Sequence, residues 1–237
     1  MSRENKYTAI ILKKQPFGEG DEIITLFTKE QGKIRALAKA VKKPLSKLQQ
    51  KLQALFLVDI ILTAGSKLPK IIGVEEVKTF GRMRENLMAL KTAICALELV
   101  LKFTPDEHKN EPLFYLMSEF LEFLDTSQPD EILNLGLAKF KIDILEYSGL
   151  GVTYPSVASA EQQLFFSPLG GGFAYQNYSG SLPVSRGELD LFLLLKAGRF
   201  PFLANSQNFS KINNLQNLLS GFIEHQIERK IKSEKYL

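Results

Sequence analysis

A cluster of basic side chains between Gly32 and Lys51 is the part of the sequence best suited to binding a charged ligand. The stretch contains seven basic residues and no acidic residue. They are Lys33, Arg35, Lys39, Lys42, Lys43, Lys47 and Lys51. Such a concentration of positive charge attracts a polyanion, and the phosphate backbone of a nucleic acid is the first candidate.

The excess positive charge belongs to the N-terminal third of the 237-residue chain. Residues 1–80 hold 15 Lys or Arg against 8 Asp or Glu, a balance of +7, and the remainder has a balance of −3, so the whole chain carries only +4. A ligand attracted by charge should therefore bind the N-terminal part.

Three neighbouring carboxylates raise an enzymatic alternative. Glu19, Asp21 and Glu22 could hold Mg²⁺ in a nuclease. No histidine or further acidic residue stands near them to complete such a site, and acidic residues are common in turns. We therefore expect no metal and no catalytic residue here, and a metal-dependent nuclease stays an alternative hypothesis.

The other reactive residue types show no catalytic spacing. The two histidines, His108 and His225, are far apart, and the single cysteine, Cys95, lies in an apolar stretch. The glycines at 170–172 are not followed by the Lys-Ser or Lys-Thr of a phosphate-binding loop. The sequence thus favours a binding protein without a cofactor over an enzyme.

The sequence also bears on the cellular compartment. A single cysteine excludes a disulfide within the chain and favours a reducing environment. The N-terminus lacks the apolar core of a secretory signal, and apolar runs such as residues 54–64 are shorter than the ~20 residues of a membrane span. We expect a cytoplasmic protein.

The elements that must position the basic residues are β-strands. Segments 7–14, 21–28, 33–39, 54–64 and 70–79 are rich in β-branched and aromatic residues and are separated by Gly- and Pro-containing turns. Five strands in about 75 residues, with a longer connection between the third and fourth, fit a closed barrel of the oligonucleotide-binding (OB) type, although other small barrels fit as well.

The third predicted strand separates its side chains into two faces. Alternation places Lys33, Arg35 and Lys39 on one face, and Ile34, Ala36 and Ala38 on the other, buried face. The connection that follows, residues 40–51, is expected to be a mobile loop or short helix whose Lys42, Lys43 and Lys47 extend the basic surface.

Binding of single strands without sequence preference would also require aromatic side chains on which bases stack. Phe17 and Phe27 are near enough in sequence to serve. Aromatic residues in strands more often belong to the core, and that alternative stays open for both.

After Gly81 the hydrophobic period changes to that of helices, which places a domain boundary near residue 80. Residues 1–80 are predicted to be the nucleic-acid-binding barrel, and residues 81–237 a helical domain with an irregular insert at about 150–184. The predicted apolar stripes are Met83, Leu87, Leu90, Ile94, Leu97 and Leu101; Leu113, Met117, Phe120 and Leu124; Leu133, Leu137, Phe140 and Ile144; and Ile212, Leu215, Leu219, Phe222 and Ile223. A capping box, Ser185 with Glu188, begins a further helix. The fold class is α+β.

The segment from Pro16 to Leu48, PFGEGDEIITLFTKEQGKIRALAKAVKKPLSKL, resembles the N-terminal signature of the bacterial recombination mediator family RecO. Weaker similarities continue at residues 112–124, 139–155 and 166–173. The residues that match the signature are Pro16, Gly18, Glu19, Asp21, Phe27, Thr28, Gly32, Lys33, Ala38, Lys39 and Ser46.

The resemblance implies a non-enzymatic DNA repair protein. Members of the family bind single- and double-stranded DNA, anneal complementary strands and help to load the recombinase onto DNA covered by single-strand-binding protein (SSB). The implied partners are DNA, RecR and the acidic C-terminal tail of SSB, with the recombinase involved indirectly, and the implied location is the nucleoid. The resemblance assigns DNA contacts to Lys33, Arg35, Lys39, Lys42 and Lys43.

Two departures from the family pattern concern the loop and the insert. Ala40 stands where the family often has glycine, which stiffens the start of the basic loop. Many members carry two Cys-x-x-Cys pairs that bind zinc in the insert, whereas the matching positions here have no cysteine. The insert should instead be held by packing of Phe165, Phe166, Phe173, Tyr175 and Tyr178.

One further hypothesis belongs to a different class. An OB barrel with a basic face could bind structured RNA or a ribosomal partner, and the protein would then be an adaptor. For docking of the acidic SSB tail, charge alone suggests Lys139, Lys141, Lys196 and Arg199.

Overall fold

The chain divides into two compact units that interleave along the sequence. The computed structural model describes residues 4–41, 46–65, 67–126, 128–156, 162–200 and 211–236. The barrel unit is Met1–Glu85 with Thr104–Asp125, and the helical unit is Asn86–Phe103 with Thr126–Leu237. The domain boundary near residue 80 stays a prediction, and by compactness residues 104–125 group with the barrel unit.

The barrel is built from five strands, β1 (Glu4–Phe17), β2 (Asp21–Thr28), β3 (Gly32–Ala38), β4 (Leu57–Thr63) and β5 (Ile71–Lys78), as the sequence predicted. Their order is β3-β2-β1-β4-β5, with neighbouring strands antiparallel. A parallel bridge between Leu37 and Lys70 brings β3 next to β5. This closure, with a short helix α1 (Lys47–Lys51) between β3 and β4, is the topology of an OB fold.

The interior of the barrel is apolar and takes alternate residues of each strand. Ile34, Ala36 and Ala38 of β3 belong to this core, together with Ile24 and Leu26 of β2. The predicted buried face of β3 is therefore confirmed, and Arg35, two residues from Lys33 and four from Lys39, lies on the opposite face.

A β-bulge in β1 changes which of its side chains face the core. Ile11 pairs with Leu26, but the next pair is Lys13 with Thr25, so Leu12 is the extra residue. An extra residue shifts the alternation by one, which moves the following side chains to the other face. Lys13 and Phe17 consequently share a face with Thr25, while Ile11 points into the core.

Residues 104–125 complete the barrel unit. Helix α4 (Glu111–Leu124) begins at Asn110, whose side chain accepts a hydrogen bond from the Leu113 N–H at 3.0 Å. Its Phe114 ring lies 5.9 Å from the ring of Phe27, so Phe27 is a core residue of this unit and not a stacking platform. The barrel unit also contains the short helix α2 (Gly81–Glu85).

The turn before β3 is closely packed. Gly32 has φ of +75°, and a side chain there would overlap the His108 carbonyl. Glycine is therefore required at this position for both its conformation and its size.

The helical unit contains α3 (Leu87–Phe103), α5 (Asp130–Tyr147), α6 (Arg186–Ala197), α7 (Ile212–Ile227) and a 3₁₀ helix (Ser233–Tyr236). The predicted stripes of α4, α5 and α7 are buried, and the capping box of Ser185 and Glu188 is present. In the described part of the chain, no helix is long and apolar enough to cross a membrane.

The predicted apolar stripe of α3 is wrong. Leu87 is 68% exposed and Ile94 is 45% exposed, whereas Ala93, Ala96 and Val100 are buried. Helix α3 packs against α5, and these smaller residues are among those that α3 buries. The spacing of large apolar residues therefore predicted the wrong buried face for α3.

The predicted irregular insert contains a small antiparallel sheet of β6 (Leu164–Ser167), β7 (Gly172–Ala174) and β8 (Leu182–Val184), in the order β7-β6-β8. Strands of three or four residues are too short to show a clear alternation in sequence. At the start of β7, Gly172 has φ of +143° and leaves no room for a side chain beside Val152 and Thr153. Gly172 therefore serves close packing against the backbone of Thr153, and Gly170 lies against the ring of Tyr178.

Aromatic side chains fill the base of the insert. The Phe166 and Phe173 rings are 4.9 Å apart, and Phe173 lies 5.3 Å from Phe192 of α6. Phe166 also lies 5.9 Å from Phe222 of α7. The expected packing of the insert by Phe166 and Phe173 is thus present, and Phe165 is half-buried.

A polar network fixes the C-terminal end of the helical unit. The Lys141 ammonium is buried and bonds to Glu234 at 2.7 Å. Burial opposes ionisation of Glu98, but hydrogen bonds from Ser233, Lys232 and Lys102 outweigh it and lower its pKa to about 2. Burial, the largest influence on the Cys95 thiol, raises its pKa to about 12, so this thiol is inert.

We predict that Phe173→Ala lowers the free energy of unfolding by about 3–5 kcal/mol, because truncating a buried aromatic ring leaves a cavity. Leu169→Ala, in the same insert but 67% exposed, is the matched control and should change stability by less than about 0.5 kcal/mol. Urea unfolding measures both. A metal chelator should leave the melting temperature of the wild type unchanged. A lower melting temperature in the chelator would contradict the view that aromatic packing holds the insert.

We also predict a pH-dependent contribution from Glu98. Since its folded-state pKa is about 2, below the ordinary 4.5, it stabilises the fold above pH 4.5 and loses this effect as the pH falls towards 2. Glu98→Gln should therefore be less stable than the wild type at neutral pH, and the difference should shrink across that range. The exposed Glu228→Gln is the control, and an equal pH response in both variants would refute the prediction.

Candidate nucleic-acid interface

Two of the predicted binding residues are exposed cations, Arg35 on the outward side of β3 and Lys39 in the turn directly after β3. Arg35 and Lys39 are both exposed. Within the described residues neither forms an ion pair, so their charges are available to an anionic ligand. Three residues separate them along the chain, and at the rise of an extended strand the two Cα atoms are about 13 Å apart.

Lys33 has a different role from the one predicted. Its side chain is only 14% exposed, its Nζ donates a hydrogen bond to the Thr104 carbonyl at 2.5 Å, and it pairs with Asp106 at 3.3 Å. The Lys33 carbonyl also accepts a hydrogen bond from the Glu107 N–H at 2.8 Å. Lys33 thus attaches residues 104–107 to the edge of β3.

The other predicted basic residues follow β3. Lys42 and Lys43 lie outside the described residues. Lys47 is the first residue of α1, and only its backbone is described. The assignment of these three residues to DNA binding therefore stays a prediction.

Lys13 joins Arg35 on the same side of the sheet. Lys13 pairs with Thr25, and Thr25 pairs with Arg35, so the three residues form one row across β1, β2 and β3. Lys13 is exposed and forms no ion pair with another described residue. Two strand spacings, about 10 Å, separate it from Arg35. We call Lys13, Arg35 and Lys39 the basic face.

The bulge explains why the sequence did not reveal Lys13. Plain alternation from Ile11 would turn Lys13 inwards and Lys14 outwards. In the structure Lys14 lies on the core side and pairs with Glu22 at 3.5 Å. No pattern in the sequence marks the bulge, so this residue was missed.

The turn between β1 and β2 is fastened to the end of β3. Asp21 accepts a hydrogen bond from the Ala40 N–H at 2.7 Å, directly after Lys39. Ala40 has φ of +54°, a left-handed conformation that costs a residue with a side chain about 1 kcal/mol. Glycine would adopt this conformation at no steric cost.

The carboxylates considered for a nuclease do not converge. Asp21 is occupied by the Ala40 N–H, and Glu22 lies beside Lys14 on the core side of the sheet. Across the part of the chain that the structure describes, no group of three or more His, Cys, Asp or Glu side chains is arranged to hold a metal ion.

A polar cleft of about 210 Å³ lies beside Arg35 in the barrel unit. It opens between two contacts of β3, the bridge of Lys33 to Asp106 and the bridge of Leu37 to Lys70. Its lining includes Asn5, Tyr7, Gln31, Ile34, Arg35, Thr63, Lys67 and Glu107. Exposed Lys67, on the β4–β5 loop, extends the positive charge from the basic face, and OB topology would have indicated this loop.

Most of the cations considered for an acidic peptide in the helical unit are already engaged. Lys139 pairs with Asp143 at 2.8 Å and is buried, and Lys141 pairs with Glu234. Lys196 pairs with Glu146 at 2.6 Å. Arg199 is exposed and forms no ion pair with a described residue.

Comparison with known proteins adds independent findings. The sequence profile described as "Recombination protein O N terminal" matches residues 1–80, and the profile described as "Recombination protein O C terminal" matches residues 84–235. A protein of Dehalococcoides mccartyi named "DNA repair protein RecO" is 29% identical over 238 residues, covering 96% of this chain and 92% of the relative. A protein of the same name from Pelotomaculum thermopropionicum is 28% identical over 243 residues, covering 98% and 93%.

We predict that Lys33 and Arg35, two residues apart on β3, respond differently to truncation. Lys33→Ala should lower the free energy of unfolding by about 1.5–3 kcal/mol, since it removes a charge-assisted hydrogen bond and an ion pair. Arg35→Ala should change it by less than about 0.5 kcal/mol. Urea unfolding of the two variants checks this, and equal losses would contradict the assigned roles.

Proposed function

Because the chain belongs to the RecO family of DNA repair proteins, we propose that it is a recombination mediator that binds single- and double-stranded DNA through the barrel unit. It anneals complementary strands and helps to load recombinase onto DNA covered by SSB. The supporting observation is the basic face, whose Lys13, Arg35 and Lys39 are exposed and make no ion pair within the described residues.

The geometry of the basic face suits binding without sequence preference. Neighbouring cations are about 10–13 Å apart, and phosphates on one DNA strand recur every ~3.4 Å along the helix axis. Each cation therefore neutralises a different phosphate. Lys and Arg contacts of this kind position the strand but do not read its bases.

Annealing on this proposal requires neutralised charge and no reacting side chain. Two strands repel each other through their phosphates, and a surface that neutralises both allows them to approach. The activity is therefore binding, not enzymatic catalysis, and needs no cofactor. Such a protein works at the nucleoid.

The proposed protein partners are RecR and the acidic C-terminal tail of SSB. An acidic peptide requires a cation that is not already paired. Among Lys139, Lys141, Lys196 and Arg199, only Arg199 meets this requirement within the described residues. Calorimetry with the tail peptide, on the wild type and on Arg199→Ala, tests this part of the proposal.

We predict that replacing Lys13, Arg35 and Lys39 together by Ala weakens binding of an oligonucleotide and slows annealing. Loss of three phosphate contacts should make the slope of log affinity against log salt shallower by about 2 for a single strand. Fluorescence anisotropy across a salt series measures this. Replacing Arg82, Arg229 and Lys230 by Ala is the charge-matched control, since either triple variant lowers the net charge from +4 to +1.

Three outcomes would count against the proposal. Equal affinity and slope in the two triple variants would mean that net charge, not the basic face, attracts DNA. A clear preference for RNA over DNA of equal length would favour the adaptor hypothesis. Cleavage of the oligonucleotide in Mg²⁺ that Asp21→Asn abolishes would favour a nuclease.

A further inference from the structure

An aromatic ring is exposed beside the basic face. Phe17 is 48% exposed, although phenylalanine is usually buried in a fold with a well-packed core. Within the described residues its ring makes no aromatic or cation–π contact, unlike exposed Tyr115, over which the Lys29 ammonium lies at 5.0 Å. About half of the Phe17 side chain is therefore accessible to a ligand.

The backbone holds Phe17 in a defined place. Phe17 is the last residue of β1 and pairs with Asp21 across the turn. Pro16 precedes it, and Gly18 follows in a left-handed conformation with φ of +62°. The bond between Asp21 and the Ala40 N–H fastens the same turn to the end of β3. Strand pairing and the Asp21 bond thus define the backbone that carries the ring.

The ring lies on the same side of the sheet as the basic face. After the bulge, Lys13, Gln15 and Phe17 alternate outwards along β1. Lys39 directly follows Ala38, which pairs with Glu22 of β2. Since Glu22 pairs with Pro16 of β1, Lys39 lies at the same end of the sheet as Phe17. A ligand that contacts Lys39 with a phosphate can thus reach Phe17 with the neighbouring group.

Cationic side chains that can bind phosphate, placed beside an exposed aromatic ring, fit one class of ligand best. In a single strand the faces of the bases are accessible and stack on aromatic side chains, whereas in a duplex they are stacked on one another. We propose that Phe17 stacks on an unpaired base of the bound strand and gives the basic face a preference for single-stranded over double-stranded DNA. This inference rests on the proposed DNA-binding function.

Affinity measurements separate stacking from charge. Phe17→Ala should weaken binding of a single-stranded oligonucleotide by about 5- to 150-fold, the equivalent of about 1–3 kcal/mol for one stacked base. Binding of a duplex of the same sequence should be unchanged. Tyr115→Ala, which removes an exposed ring elsewhere in the barrel unit, should preserve both affinities. Thermal unfolding of each variant verifies that it is folded.

The absence of tryptophan from the chain offers a direct optical test. Phe17→Trp places a single indole at the proposed contact, and stacking on a base should quench its fluorescence. A single-stranded oligonucleotide should quench the emission, whereas the duplex and an abasic single strand with the same phosphates should not. The abasic strand should also bind the wild type more weakly than the normal strand.

Several results would overturn the inference. For Phe17→Ala, these are an unchanged affinity for the single strand, or an equal loss of affinity for single strand and duplex. For Phe17→Trp, they are equal quenching by the abasic and normal strands, or quenching by an acidic peptide but not by DNA. If the basic-face triple variant loses DNA binding while Phe17→Ala keeps the wild-type ratio of affinities, the proposed function stands and the stacking contact is excluded.

Discussion

The bulge at Leu12 determines what the outer side of the barrel presents to a ligand. One extra residue in β1 reverses the alternation of the residues that follow, so Lys13 and Phe17 face outwards. Without it, Lys13 would enter the core, where an unpaired ammonium is strongly unfavourable. The bulge also turns Lys14 to the core side of the sheet, where Glu22 neutralises its charge. A local irregularity of the backbone thus creates a positive surface that spans three strands.

The edge of β3 is the second feature on which this surface depends. Its N-terminal half is bonded to residues 104–107 through Lys33, and its C-terminal half meets β5 at the bridge from Leu37 to Lys70. These contacts leave Arg35 between them, beside the polar cleft. A strand held on both edges keeps its side chains in fixed directions. Lys33 and Arg35 look equivalent in the sequence but differ in the structure. Lys33 binds residues 104–107, whereas Arg35 is exposed.

Aromatic packing supports the insert of the helical unit. Where the family resemblance implies cysteine ligands, the insert has a short sheet whose Phe166 and Phe173 pack against Phe192 and Phe222. Aromatic rings bury large apolar areas and prefer tilted or edge-to-face contacts of the kind seen here. These contacts join the insert to α6 and α7.

The sequence by itself determined the strands of the barrel, the helical character after Gly81, the buried face of β3 and the N-terminal location of the positive charge. These features are local, because alternation, helical periodicity and composition are read within a few residues. Tertiary structure alone decided that Lys33 is engaged, that Lys13 is exposed, that residues 104–125 belong to the barrel unit, and that α3 buries its small residues and not Leu87 or Ile94. Each of these depends on a bulge or on a partner distant in sequence, and neither leaves a periodic signal in the chain.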